Sequence, residues 1–257
     1  VVVISHERGL VPATARGPDG KWLAAPGPLI HDLTYAELER YDVGRLNPAT
    51  RYARQFPDQV PVDGARIPRL ADLFALVKKA GDGAVRFNIE TKVSPEAPQE
   101  TLPPEAFAHA LIAAIRAGGM ESRATIESFD WRTLKAVQAQ SPGIPTVYLS
   151  ARQSWLDNVR AGDPAGSPWT AGVQFAAYGS VPKMVKAAGG TIWSPYFGDL
   201  DTAQLAEAHA LGLKVIPWTV SAPAQIDAML DLGVDGLMSD RPDLVREAMR
   251  RRGMPLP

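Results

Sequence analysis

Asn88-Ile89-Glu90-Thr91-Lys92, reached through the apolar-leaning run Ala84-Val85-Arg86-Phe87, reads as a buried strand running out into a loop. Residues two apart on an extended chain leave on the same face, so Glu90 and Lys92 emerge together at the strand's C-terminal end. A carboxylate and an ammonium so placed suit a divalent cation beside a phosphate oxygen. An ordinary ion pair at a strand tip would use the same two residues. The residues beyond this stretch decide the fold class. Strand 84–90 leads through a Pro-rich loop to helix 104–117, closed by Gly118-Gly119. Strand 123–128, helix 130–140 with Asp130 as N-cap, strand 145–149 and a helix near 152–160 come next. Helix 180–188, strand 191–194, helix 201–211, strand 213–218, helix 222–232, strand 235–239 and helix 242–251 complete the series. Such alternation, with glycine stops and short β-branched runs, indicates parallel βα units with both sheet faces covered. The sequence therefore predicts an α/β fold, a TIM (β/α)8 barrel as one domain over residues 1–257. A doubly wound open sheet is the alternative.

Upstream of this region the pattern loosens. Val1-Val2-Val3-Ile4-Ser5 reads as a strand already under way, with His6 at its end. Residues 7–33 and 42–68 are long loops punctuated by proline and glycine, separated by a short helix that Thr34-Tyr35-Ala36-Glu37 opens with a capping-box pattern. Helix 70–79 carries Leu70, Leu73, Phe74 and Val77 on one stripe. Six βα units plus one initial strand leave a barrel lacking its first strand, first helix and second strand. Two exposed strand edges are then expected to be covered by an upstream segment or by a partner, which leaves a homo-oligomer open.

The bulk figures narrow the class. The chain has 257 residues, 46% of them hydrophobic and 21% charged, the composition of an ordinary globular domain. A net charge of −1 argues against a nucleic-acid partner, which demands clustered Lys and Arg. No apolar run is long enough for a transmembrane segment. With no cysteine, thiolate metal sites and disulfides are excluded.

In a barrel the chemistry sits at the C-terminal ends of the strands. Those ends carry His6, Glu90 with Lys92, Glu127-Ser128-Phe129, Trp193-Ser194-Pro195-Tyr196, Trp218-Thr219 and Ser239-Asp240, a rim of polar and aromatic residues beyond apolar interiors. Asp240, before Arg241-Pro242, reads as a helix cap. His31, His109 and His209 read as solvent-facing. Few histidines and no cysteine favour a hard cation, Mg2+ or Ca2+, over Zn2+.

Taken together, Ser5-His6, Leu33-Thr34 to Glu37-Leu38, Asp42-Val43-Gly44, Ile67-Pro68-Arg69-Leu70, Asn88 to Lys92, Ser128-Phe129-Asp130, Trp218-Thr219-Val220 and Gly233-Val234-Asp235-Gly236-Leu237-Met238-Ser239-Asp240-Arg241-Pro242 resemble the glycerophosphodiester phosphodiesterase family. The resemblance implies a metal-dependent TIM barrel that cleaves small glycerophosphodiesters to glycerol 3-phosphate and an alcohol, the phosphate passing through a cyclic intermediate. It implies Glu90 as a metal ligand, Lys92 beside the phosphate, His6 as one of two acid–base histidines and Trp218 as a pocket wall. Glu127, at the next strand end, is the further in-chain carboxylate for the cation, a backbone donor or a substrate hydroxyl. The family's His-Arg-Gly segment and its Glu-x-Asp pair have no counterpart here, and its His-Asp is His6-Glu7. Two rivals stay open: a lysophospholipase D- or sphingomyelinase-like phosphodiesterase, and a non-catalytic phosphate- or polyol-binding barrel.

Overall fold

Five of the short β-branched runs assemble into one parallel sheet in the computed structural model, which describes residues 1–256. The strands are β1 (Phe87–Glu90), β2 (Ala124–Ser128), β3 (Thr146–Ser150), β6 (Ile192–Pro195) and β7 (Lys214–Val215), neighbours in that order. Between β3 and β6 lies a separate antiparallel hairpin of β4 (Arg152–Gln153) and β5 (Leu156–Asp157). The sheet runs in chain order without reversal. A doubly wound sheet would show a switch point where the order turns back, so the barrel-type arrangement holds and the open-sheet alternative does not.

The chain divides into two compact units. The first comprises residues 1–86 and 92–123 and holds α1 (Tyr35–Leu38), α2 (Leu70–Lys79) and α3 (Pro104–Ala117). Its loops close on a cluster of Leu10, Ala15, Leu38 and Ile67, flanked by Val3, Leu23, Ile30, Leu33, Tyr35, Tyr41 and Val43. The capping box at Thr34 forms as expected, Glu37 N–H donating to Thr34 Oγ1 and Thr34 N–H to Glu37 Oε2. Arg16 lies between Asp42 and Asp63, 2.5 Å from each, while Arg45 also grips Asp63 at 2.9 Å. These side chains tie together a stretch of chain that has almost no regular structure.

The second unit comprises residues 87–91 and 124–257 and holds the sheet. Its helices are α4 (Trp131–Gln140), α5 (Phe175–Tyr178), α6 (Val181–Ala187), α7 (Thr202–Ala210), α8 (Pro223–Leu232) and α9 (Pro242–Arg251). Asp130 caps α4 as the sequence predicts, accepting from Arg132 N–H at 3.1 Å. Trp131 stands edge-on to Tyr148 with ring centroids 5.0 Å apart and donates its indole N–H to Leu149 O. The Tyr148 hydroxyl donates to Ala188 O at 2.8 Å, so the largest side chains of this core bury their polar atoms already paired.

Four sequence expectations need correction. The initial strand 1–5 makes only one antiparallel bridge, Val3 with Arg69, because the adjoining Pro68 has no N–H to extend a ladder. Strand 84–90 begins at Phe87, since Asp82 Oδ1 takes the N–H groups of Ala84 and Val85 into a turn. The helix expected near 152–160 is the β4–β5 hairpin. Residues 235–239 form no ladder among the described residues, although Asp235 N–H reaches Val215 O, Met238 N–H reaches Pro217 O and Val220 N–H returns to Met238 O. On the facing side the Asp235 carboxylate takes the Val215 N–H, and Pro217 has none to give.

Candidate active site

The register of β1 against β2 sets Phe87 opposite Ala124, Asn88 opposite Thr125, Ile89 opposite Ile126 and Glu90 opposite Glu127. Partners across a sheet share a face, so Asn88, Glu90, Thr125 and Glu127 form one polar patch. Phe87 and Ile126 are buried on the other face. The patch lies where β1 and β2 end, with two carboxylates on neighbouring strands about 4.8 Å apart in backbone spacing. Thr91 N–H donates to Glu127 O at 2.9 Å and the Ser128 hydroxyl donates to Thr91 O, so pairing carries on past Glu90 and holds the strand ends.

Glu127 is only 7% exposed, and a carboxylate so buried requires a donor. Asn88 supplies it, Nδ2 lying 2.6 Å from Glu127 Oε2, while Thr125 Oγ1 donates to Asn88 Oδ1 at 2.7 Å. A carboxylate accepts and never donates, so this relay fixes which way the Asn88 amide faces. The sequence marks Glu127 but not Asn88; its place two residues before Glu90, on the same face, is the available signal.

Beyond the strand ends of the same unit stands an aromatic group. Trp218 meets Phe129 at 5.1 Å and Tyr196 at 5.5 Å between centroids, and its indole N–H donates to Ser194 O at 3.0 Å. Trp155, from the turn of the β4–β5 hairpin, adds a ring 5.2 Å from Tyr196 and 6.1 Å from Trp218. Tyr196, Phe129 and Trp218 belong to the rim read from sequence. Trp155 does not, because the sequence around it reads as a helix and not as a strand end.

Of the five residues singled out from sequence, the structure brings Glu90 and Glu127 together and places Trp218 in the aromatic group. His6 and Lys92 belong to the first unit. His6 Nδ1 lies 2.8 Å from Glu7 Oε1 with its side chain 78% exposed, at the end of a bridge and not of a strand. Lys92 is half-buried just past β1.

The same donor set bears on a divalent cation. Among the described residues no three His, Cys, Asp or Glu side chains converge on one point. Glu90 and Glu127 are two hard oxygen donors at partner positions, which fits a cation held by one or two carboxylates together with water and substrate oxygens, and not an all-protein cage.

A parallel barrel-type sheet whose strand ends carry paired carboxylates and aromatic rings puts these groups where barrel enzymes hold their active sites. Residues 1–244 match the model of the glycerophosphoryl diester phosphodiesterase family, and the chain belongs to that family of phosphoric diester hydrolases. A crystal structure from Silicibacter pomeroyi DSS-3, assigned to the same enzymes, is 34% identical with a TM-score of 0.85, over 98% of this chain and 80% of that one. The glycerophosphodiester phosphodiesterase of Caldanaerobacter subterraneus subsp. tengcongensis is 25% identical over 224 residues, 87% of this chain and 74% of the relative. An Oleispira antarctica phosphodiesterase, solved with the product sn-glycerol-3-phosphate, shares the fold at 20% identity and a TM-score of 0.64, over 96% of this chain and 79% of that one.

Proposed function

We propose that this chain, acting as a single barrel domain, hydrolyses small glycerophosphodiesters to glycerol 3-phosphate and an alcohol, with Mg2+ or Ca2+ held at Glu90. The observation that carries the reading is the pairing of Glu90 with Glu127 at the ends of β1 and β2, in a member of this family. The product bound to the Oleispira relative is the product this reaction would give. A bound divalent cation supplies charge neutralisation at the non-bridging phosphate oxygens. Two protein carboxylates suit the sparse coordination of Mg2+ better than the crowded shell of Ca2+.

The residues take the remaining tasks. The glycerol hydroxyl next to the phosphate attacks phosphorus, losing its proton as the new P–O bond forms. The bond to the leaving alcohol breaks as that oxygen gains a proton, and water then opens the cyclic phosphate. His6, with Nδ1 held by Glu7, serves one end of this proton transfer through Nε2. Lys92 offers a point charge for the phosphate. Glu127, kept in place by Asn88, faces the substrate hydroxyls or the cation, and Trp218 forms the wall for the organic part.

The test measures glycerol 3-phosphate released from glycerophosphocholine, with Mg2+ or Ca2+ and with EDTA, by the parent chain and by Glu90→Gln. Glu90→Gln should lose at least about 10²-fold in kcat, the usual scale for removing one electrostatic stabiliser of the transition state. Full cation-dependent activity in this variant removes Glu90 from the metal site. Folded parent protein that binds glycerol 3-phosphate without turning over any diester moves the assignment to a binding barrel.

A further inference from the structure

Within the first unit, the loop over residues 47–64 carries an unusual surface. Val60 is 78% exposed, Val62 61% and Tyr52 42%, in a run that also holds Pro57 and Pro61. Pro61 fixes its own φ and pushes Val60 to extended backbone, so Val60-Pro61-Val62 stands as a short apolar ridge. Both stems of the loop are tied down. At one, buried Asn47 donates its amide to Pro12 O at 3.0 Å and takes the Ala49 N–H at 3.1 Å. At the other, Val62 N–H donates to Gly44 O at 2.7 Å, and Asp42 Oδ2 takes the Gly64 N–H at 2.8 Å. Single exposed apolar side chains are ordinary; three grouped on one anchored loop mark a contact surface.

The chemistry of the loop indicates what covers it. A partner strand would need a row of free N–H groups, but Pro57 and Pro61 have none, and Gln59 and Val62 donate theirs to Phe56 O and Gly44 O. What the loop offers instead is non-directional apolar surface together with positive charge. Arg51 and Arg54 stand three apart at the 3-10 turn Ala53–Gln55, a spacing that aligns side chains in such a turn, and both are exposed. Tyr52 and Phe56, from the same turn, meet at 5.1 Å between ring centroids. Residues 46–62 hold Asp58 as their single acidic group, although the net charge of the chain is −1. Aliphatic side chains, amphipathic rings and guanidinium groups on one short loop match a lipid headgroup layer, which has an apolar boundary beneath and anionic charge above.

We propose that the loop over residues 47–64 docks this protein on an anionic lipid surface, with Val60 and Val62 entering the acyl boundary and Arg51 and Arg54 pairing with acidic headgroups. Each arginine near a charged leaflet contributes about fivefold in partitioning, and the two valines add the burial of their side chains. Because Asn47 and Gly44 already hold both stems, the loop needs little further ordering on contact. The docking makes no use of phosphodiesterase chemistry and stands or falls separately from it.

The experiment is co-sedimentation of the full chain with vesicles of phosphatidylcholine alone and of phosphatidylcholine mixed with an equal part of phosphatidylglycerol. The parent should partition at least about 10-fold more strongly onto the anionic vesicles, and the margin should shrink as salt rises. Arg51→Ser with Arg54→Ser should remove most of that margin. Val60→Asp with Val62→Asp should abolish binding to the anionic vesicles, with the circular dichroism of the fold retained. Since the chain has no cysteine, Val60→Cys accepts a single environment-sensitive fluorophore. Its emission should shift to the blue on anionic vesicles, while the same label on Lys79→Cys, at the far end of α2, should not respond. Absence of sedimentation with anionic vesicles, equal partition onto both vesicle types, or undiminished binding in Val60→Asp with Val62→Asp overturns the proposal. A blue shift that grows with protein concentration in the absence of lipid overturns it too, assigning the ridge to contact between copies of the chain.

Discussion

At the scale of single residues, Glu127 separates charge from structure most cleanly. Glu127→Gln keeps an acceptor oxygen for the Asn88 amide and nearly the same volume, but removes the negative charge. If Glu127 serves the cation or substrate, activity should fall at least tenfold while the thermal midpoint moves by only a few degrees. Wild-type turnover in this variant would assign Glu127 to holding β1 on β2. Asp63 gives a second residue-level prediction. The hydrogen bonds from Arg45 lead, and those from Arg16 add, in holding its carboxyl down at about 2. A depressed carboxylate pKa contributes stability that is fully present above the unfolded value of about 3.9 and is lost as pH falls through the folded one. The acid limb between about pH 4 and pH 2 should therefore be shallower in Asp63→Asn than in the parent, as read by far-ultraviolet circular dichroism against pH. Superimposed acid limbs would exclude the Arg16–Asp63–Arg45 contacts as a source of acid sensitivity.

At the scale of elements, the loop over residues 42–65 behaves as a packed piece. Val62 N–H donates to Gly44 O and Val43 N–H to Ala65 O, which brings the two strings of chain so close that a Cβ on Gly44 would lie 1.7 Å from Val62 O. The obstacle is backbone, so Gly44→Ala should cost about 1–3 kcal/mol or more, measured as a lower urea midpoint with unchanged slope. An unaltered midpoint would mean that the loop contributes nothing to the stability of its unit. Legibility in the sequence divides along the same line. Helices 70–79, 104–117 and 242–251 match their expected bounds, because caps, glycine stops and a 3.6-residue period are properties of the segment itself. The sheet is legible as a series of runs but not in its lengths, because a ladder depends on donors from a neighbour. Pro217 and the Asp235 carboxylate withhold those donors from the last strand, and Pro68 does so for the first. The β4–β5 hairpin is illegible for a related reason. Its strands are two residues each, too short for a period, and what fixes them is Asn158 and Asp199 reaching distant chain. In the site, the Glu90 face is legible from alternation alone. That Asn88 restrains Glu127 depends on register, which no local stretch encodes.

At the scale of the whole molecule, no helix among the described residues is long and apolar enough to cross a membrane. The single-domain reading makes a thermodynamic prediction: one calorimetric transition whose van't Hoff and calorimetric enthalpies agree. Two resolved transitions would assign the compact units to separate domains. The chain path favours the first outcome, because neither unit is continuous in sequence. Residues 87–91 lie in one unit while the residues on both sides of them lie in the other.

That interleaving sets a timetable during synthesis. As the chain leaves the ribosome, β1 emerges with its carboxylate but without its neighbour, since Glu127 follows Glu90 by 37 positions. The intervening crossover must be translated before the two acidic groups are first set side by side. A nascent chain arrested before residue 124 therefore carries half of the acidic pair and none of the aromatic group formed by Phe129, Trp155, Tyr196 and Trp218.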